Sequence, residues 1–168
     1  MKVLFALAAI ALLATNLSLS ARADTSSGAR AEVAALYDRF AEAFRNKDLN
    51  GVMSLYVHND SLFAFDVSPP REYVGWNAYR DDWKSLFASF RGPIHFAIVD
   101  LAIVASGDVA YTHSLQRVSG TSPDGKLQHL VVRVTDVLRK FDGKWLIVQE
   151  HASVPVDADS GVADWDSK

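Results

Sequence analysis

From His95 to Pro155 the chain falls into four strand-length segments: His95–Val104, Val109–Val118, Lys126–Arg139 and Lys144–Pro155. Only "ASGD", "SGTSPDG" and "KFDG" separate them. Gly with Asp, Ser and Pro is turn chemistry. Links this short join antiparallel neighbours, because a parallel crossover needs a dozen residues or more. The second half of the chain is therefore expected to be a meander.

The first half reads differently. Between Arg30 and Arg45, Val33, Leu36, Tyr37, Phe40, Ala41 and Phe44 recur at helical spacing. "DLNGVMSLY" reads as a short second helix capped by Asp48. "SLFAFD" (Ser61–Asp66) is a first strand, and Pro69-Pro70 marks the loop after it. A third helix runs from Gly75 or Trp76 to Phe90, with Trp76, Tyr79, Trp83, Leu86, Phe87 and Phe90 as its stripe. Helices first and a meander after predict an α+β domain: a cone-like curved antiparallel sheet with three N-terminal helices on its concave face.

The opening 23 residues are not fold material. One early lysine, an apolar run from Val3 to Ala14 and the small-x-small ending Ala21-Arg22-Ala23 have the layout of a secretory signal peptide cleaved before Asp24. The run is short for a membrane span, and the polar residues Thr15, Asn16 and Ser18 come directly after it. The expectation is a secreted or periplasmic chain with no membrane span after signal removal. It would have a leader at 24–29, a domain at 30–155 and an acidic, mobile tail at 156–168, in which Trp165 is the residue able to dock. Removing the signal leaves 145 residues with 15 Lys and Arg against 20 Asp and Glu. Without a basic run, nucleic acid is not an expected partner. The absence of cysteine rules out disulfides, a thiol nucleophile and Cys-based metal sites.

Strand alternation assigns the faces. In Lys144–Pro155, Leu146, Val148, Glu150, Ala152 and Val154 share one side; Trp145, Ile147, Gln149, His151 and Ser153 share the other. In the preceding strand, Leu130, Val132, Val134, Asp136 and Leu138 oppose His129, Val131, Arg133, Thr135, Val137 and Arg139. Each aliphatic side carries a single carboxylate and is expected to pack on the helices. Asp136 and Glu150 would then point inward from neighbouring strands, where burial raises carboxyl pKa values and readies a general acid or base. In Val109–Val118 the bulkier set, Tyr111, His113 and Leu115, is expected inside, which would add His113 to the cavity. Three histidines on consecutive strands do not converge under this assignment, so no metal site is expected.

With these elements placed, the chain resembles the SnoaL-like, ketosteroid-isomerase-like members of the nuclear-transport-factor-2-like superfamily. The most specific stretch is "TDVLRKFDGKWLIVQEHASV", with R-x-T-x-V, D-G-K-W and E-H-x-S. It is also similar to the end of the association domain of calcium/calmodulin-dependent kinase. "RNKDLNGVMSLYVHND" matches the family's second-helix entry.

The resemblance implies a proton-shuttling base at Asp66 and a protonated oxyanion-hole carboxyl at Asp136. Phe40 stands where the isomerases have their tyrosine, and Tyr37 one turn earlier is a possible substitute. His113 falls where the kinase domain has a cavity arginine, and Glu150 falls at a cavity-lining position. The expected function is cofactor-free proton transfer on a small apolar or polyketide-like molecule, by an isomerase or dehydratase. Asp66, Asp136, His113 and Glu150 would act catalytically, and Tyr37, Phe40, Trp76 and Tyr111 would line the cavity. A non-catalytic ligand-binding domain and a dimeric assembly domain stay open. Arg133, Thr135, Trp145 and His151 would form either a two-fold interface on the outer face or an alternative pocket.

Overall fold

The computed structural model describes residues 26–166. The proposed signal segment and its cleavage point lie outside them. Helix α1 occupies residues 26–45, so residues 26–29, expected as a leader, are already helical. Helix α2 spans Leu49–Met53 and is capped by Asp48, whose carboxylate accepts from the Gly51 N–H at 2.9 Å. Helix α3 spans Trp76–Ala88.

The strands are β1 (Phe63–Phe65), β2 (Tyr73–Val74), β3 (Arg91–Ser106), β4 (Val109–Thr121), β5 (Leu127–Phe141) and β6 (Lys144–Ser153). They form one six-stranded sheet in the order β2-β1-β6-β5-β4-β3. The four long strands are the antiparallel meander that the short turns dictate. The short β1 runs parallel to β6, which makes the sheet mixed at one side.

The helices bury their apolar stripes against the inner face of the sheet. Phe40, Phe44, Trp83 and Phe96 form the aromatic centre, with Phe44 and Phe96 stacked at 4.0 Å between ring centroids. Apolar area and ring packing at this centre are the main favourable contribution to the fold.

Two face assignments change. In β6, Trp145 and Ile147 are buried inward, and so are Glu150 and Ala152. Strict alternation forbids that combination. The register explains it: Val137 pairs with Gln149 but Leu138 pairs with Ile147, so Val148 is an extra residue in a β-bulge. The bulge sits where β6 exchanges its other neighbour. Ile147 pairs with the segment around Tyr56, through Val57 N–H to Ile147 O at 2.9 Å and Ile147 N–H to Leu55 O at 2.8 Å. Beyond Val148, Gln149 to His151 pair with β1. Trp145 therefore belongs to the core and not to the outer face; its Nε1–H donates to Glu32 Oε2 at 2.8 Å.

In β4 the inner residues are Ala110, Thr112, Ser114 and Gln116, while Tyr111 and His113 face outward. The bulkier set is outside because the helices' aromatic side chains already fill the concave side. Small residues leave room for those rings and for a cavity.

The tail folds back along the start of β5. Val156 bridges Ala163, and the Val131 N–H donates to the Trp165 carbonyl at 2.8 Å.

Candidate functional site

Asp136 of β5 and Glu150 of β6 are direct cross-strand partners, both at least nine-tenths buried. Three tyrosines from the helical layer reach them. The Tyr37 hydroxyl, on α1, donates to Asp136 Oδ2 at 2.5 Å and also contacts Thr112 Oγ1 at 2.5 Å. The Tyr56 hydroxyl, in the segment after α2, donates to Glu150 Oε2 at 2.5 Å. The Tyr79 hydroxyl, on α3, donates to Glu150 Oε1. It also lies 3.5 Å from Asp66 Oδ2, just past the end of β1.

The electrostatics follow from burial. Desolvation drives both Asp136 and Glu150 well above the usual carboxylate range, and for Glu150 the charge of Asp136 adds to the rise. Tyrosine hydrogen bonds oppose that rise at both groups without cancelling it. Two neighbouring carboxyls in such a place hold a proton between them, and they titrate as a unit. Asp136 Oδ1 has no hydrogen-bond donor among the ordinary groups of the described residues. Asp66 is shallower. Its pKa is raised mainly by burial and held back by the Val67 and Ser68 backbone N–H groups.

A cavity of about 370 Å³ opens in front of this cluster, within the size range of small-molecule sites. Asp66 and Glu150 both line it. Its walls are aliphatic on the sheet side (Val118, Leu130, Val132, Val134, Ala152) and aromatic on the helix side (Phe44, Trp83). Trp165 of the tail forms part of the rim, and Asp82 and Gln116 add polar groups. Asp136 and Tyr37 are not part of the lining; they sit behind Glu150, one layer deeper.

The family model described as a SnoaL-like domain matches residues 33–157. The chain belongs to the SnoaL-like family. The fold is shared with solved structures. An NTF2-like protein of unknown function from Pseudomonas putida is 31% identical over 85% of this chain and 98% of its own, with a TM-score of 0.77. A nuclear transport factor 2 superfamily protein from Salmonella enterica serovar Typhimurium is 19% identical over 80% and 96% of the two chains, with a TM-score of 0.71. A ketosteroid isomerase-like protein from Erwinia carotovora atroseptica is 21% identical over 73% and 93%, with a TM-score of 0.62. No curated protein matches the sequence.

In this SnoaL-like domain the expected site residues separate into three groups. Asp66, Asp136, Glu150 and Tyr37 come together as one hydrogen-bonded cluster. Phe40 and Trp76 do not line the cavity. Phe40 is sealed in the aromatic centre, and the Trp76 Nε1–H is tied to the Met53 carbonyl at 3.0 Å with His58 stacked on its ring. Tyr111 and His113 are on the outer face, with Tyr111 49% exposed, and so cannot serve the cavity.

Arg133, Thr135 and His151 are on that outer face as well, as expected, but without Trp145. His113, Thr135 and His151 pair in register across three strands. His113 and His151 therefore share a face rather than opposing each other.

Sequence reasoning missed Tyr56, Tyr79 and Gln116 as site residues. Tyr79 is visible as a member of the α3 stripe, but a stripe position reports burial, not what the hydroxyl meets. Tyr56 ends the "DLNGVMSLY" stretch read as a helix; the helix observed there stops at Met53, and nothing in the stretch tells what the hydroxyl meets.

Proposed function

We propose that this SnoaL-like domain catalyses cofactor-free proton transfer beside the carbonyl of a small, largely apolar compound, as an isomerase or dehydratase. The supporting observation is that Asp66 and Glu150 line the same apolar cavity with the Tyr79 hydroxyl joining them. Asp66 is the general base. Its raised pKa makes it a stronger base than an exposed aspartate. The proton abstracted from carbon goes to Asp66, and negative charge moves onto the substrate oxygen. The proton-holding Glu150–Asp136 pair, steadied by three tyrosines, offers the hydrogen bond that stabilises this charge. Compared with the isomerase arrangement, the roles shift by one layer: Glu150 meets the substrate and Asp136 acts through it. Likeness to a ketosteroid isomerase-like protein accords with this chemistry but carries the fold alone.

The test is α-proton exchange in D2O, followed by NMR over a panel of small cyclic ketones and enones. The wild type is expected to accelerate exchange on at least one of them, and Asp66→Asn to lower that rate by about 100-fold. Equal rates for wild type, variant and buffer would leave the catalytic reading without support.

A second reading, a non-catalytic ligand-binding domain, draws on the burial of Asp136 and Tyr37 behind the cavity wall. Ligand retention without exchange would favour it. We also place a homodimer contact on the outer face around Arg133, Thr135 and His151, which sedimentation velocity reads directly. Export through the N-terminal segment would give a cell-free product that begins near Asp24, checked by its intact mass.

A further inference from the structure

The polar inventory of the cavity is one-sided. Asp66, Asp82 and Glu150 line it, and no lysine, arginine or histidine does among the described residues. Asp82, on α3 at the helix side, takes no part in the proton-transfer cluster. It accepts the Tyr73 hydroxyl at 2.7 Å and has no cationic partner among the described residues. Burial raises its pKa first, and the nearby charge of Asp66 raises it further. The two carboxylates at this side therefore repel each other, and no cationic side chain of the lining compensates them. Opposite them, Gln116 on β4 is 6% exposed and lines the cavity, yet its amide makes no hydrogen bond among the described residues. The Trp83 Nε1–H belongs to the same lining and is buried without a partner among the described residues, an arrangement that an acceptor oxygen on a ligand would relieve.

We propose that Asp82 is a specificity residue that takes the ammonium group of an apolar amine. The apolar body would then lie along the valine wall, and a hydroxyl or carbonyl on it would meet Gln116. A carboxylate, phosphate or acyl-phosphate ligand at this side would meet Asp66 and Asp82 with no compensating cation in the lining, so anions are disfavoured there. This deepens the proton-transfer reading by adding an amine to the class of carbonyl compound taken. It does not require turnover to be tested.

The probes are 4-phenylbutylamine, 4-phenylbutanol and 4-phenylbutyrate, equal in length and differing in charge. Isothermal titration at pH 7 is expected to show the amine bound about tenfold tighter than the alcohol, with the carboxylate weakest. Asp82→Asn keeps an acceptor for Tyr73 and is expected to close the gap between amine and alcohol. Equal binding of amine and alcohol, tighter binding of the carboxylate, no binding of any probe, or an amine preference that survives in Asp82→Asn would each overturn the proposal. Asp66→Asn separates the two readings. Loss of exchange with amine preference kept leaves Asp82 as the specificity residue, whereas amine preference in a wild type without exchange removes only the catalytic reading.

Discussion

Replacing Glu150 by alanine is expected to destabilise the domain by about 3–5 kcal/mol, a large fraction of the stability of a domain this size. The Glu150 carboxyl accepts the hydroxyls of Tyr56 and Tyr79, both fully buried, and pairs with Asp136. Alanine leaves the Tyr56 and Tyr79 hydroxyls without this acceptor, strips Asp136 of its neighbouring carboxyl and enlarges the cavity beside them. Glu150→Gln keeps the shape and one acceptor, and should lose less than half as much. Urea unfolding followed by far-UV circular dichroism separates the two variants. A loss below about 1 kcal/mol for alanine would mean that the tyrosines find other partners.

The stability of the domain is expected to fall as pH rises from 5 to 8. In the unfolded chain Asp136 and Glu150 titrate near their ordinary values, about 4. In the fold, burial pushes Asp136 up to about 7 and raises Glu150 well above its ordinary value. Between these limits the native state binds more protons than the unfolded state, so raising the pH favours unfolding. The stabilisation is complete below the unfolded values and is lost as pH passes through the folded ones. For one carboxyl raised by about three units, the difference is on the order of 4 kcal/mol. Asp66 shifts in the same direction and adds to the slope. Carboxylates with lowered pKa, such as Glu32 and Asp124, act only at more acidic pH. Thermal melts across this range should show the decline, and Asp136→Asn should flatten it. A melting temperature that rises from pH 5 to pH 8 would show that the pair is ionised in the fold.

Both expectations rest on a cluster that is half legible in the sequence. The inward placement of Asp136 and Glu150 comes from alternation, because each sits alone among aliphatic residues. For Glu150 the outcome holds for an additional reason. The Val148 bulge reverses the parity of β6, so that Trp145 and Ile147 join it inside. A bulge leaves no mark in a pattern of residue types when both neighbours of the kink are apolar. His113 fails for a different reason. Bulk marks the inner face of a strand only where the sheet itself must fill the core. On a concave surface filled from the helix side, bulk belongs outside.

The order of helices and strands, the antiparallel meander and the membership in a fold family are all written in the sequence. These depend on local periodicity and turn chemistry, which neighbouring residues carry. It takes the folded chain to bring Tyr37, Tyr56 and Tyr79 to two carboxyls, to set Asp136 behind Glu150, and to turn Asp82 and Gln116 onto one cavity. Tyr37 and Asp136 are 99 positions apart, and Tyr56 and Glu150 are 94 apart. Contacts of that separation are set by sheet curvature, strand register and one extra residue in β6. Each of these moves a side chain by a whole face without changing the local pattern from which it would be read.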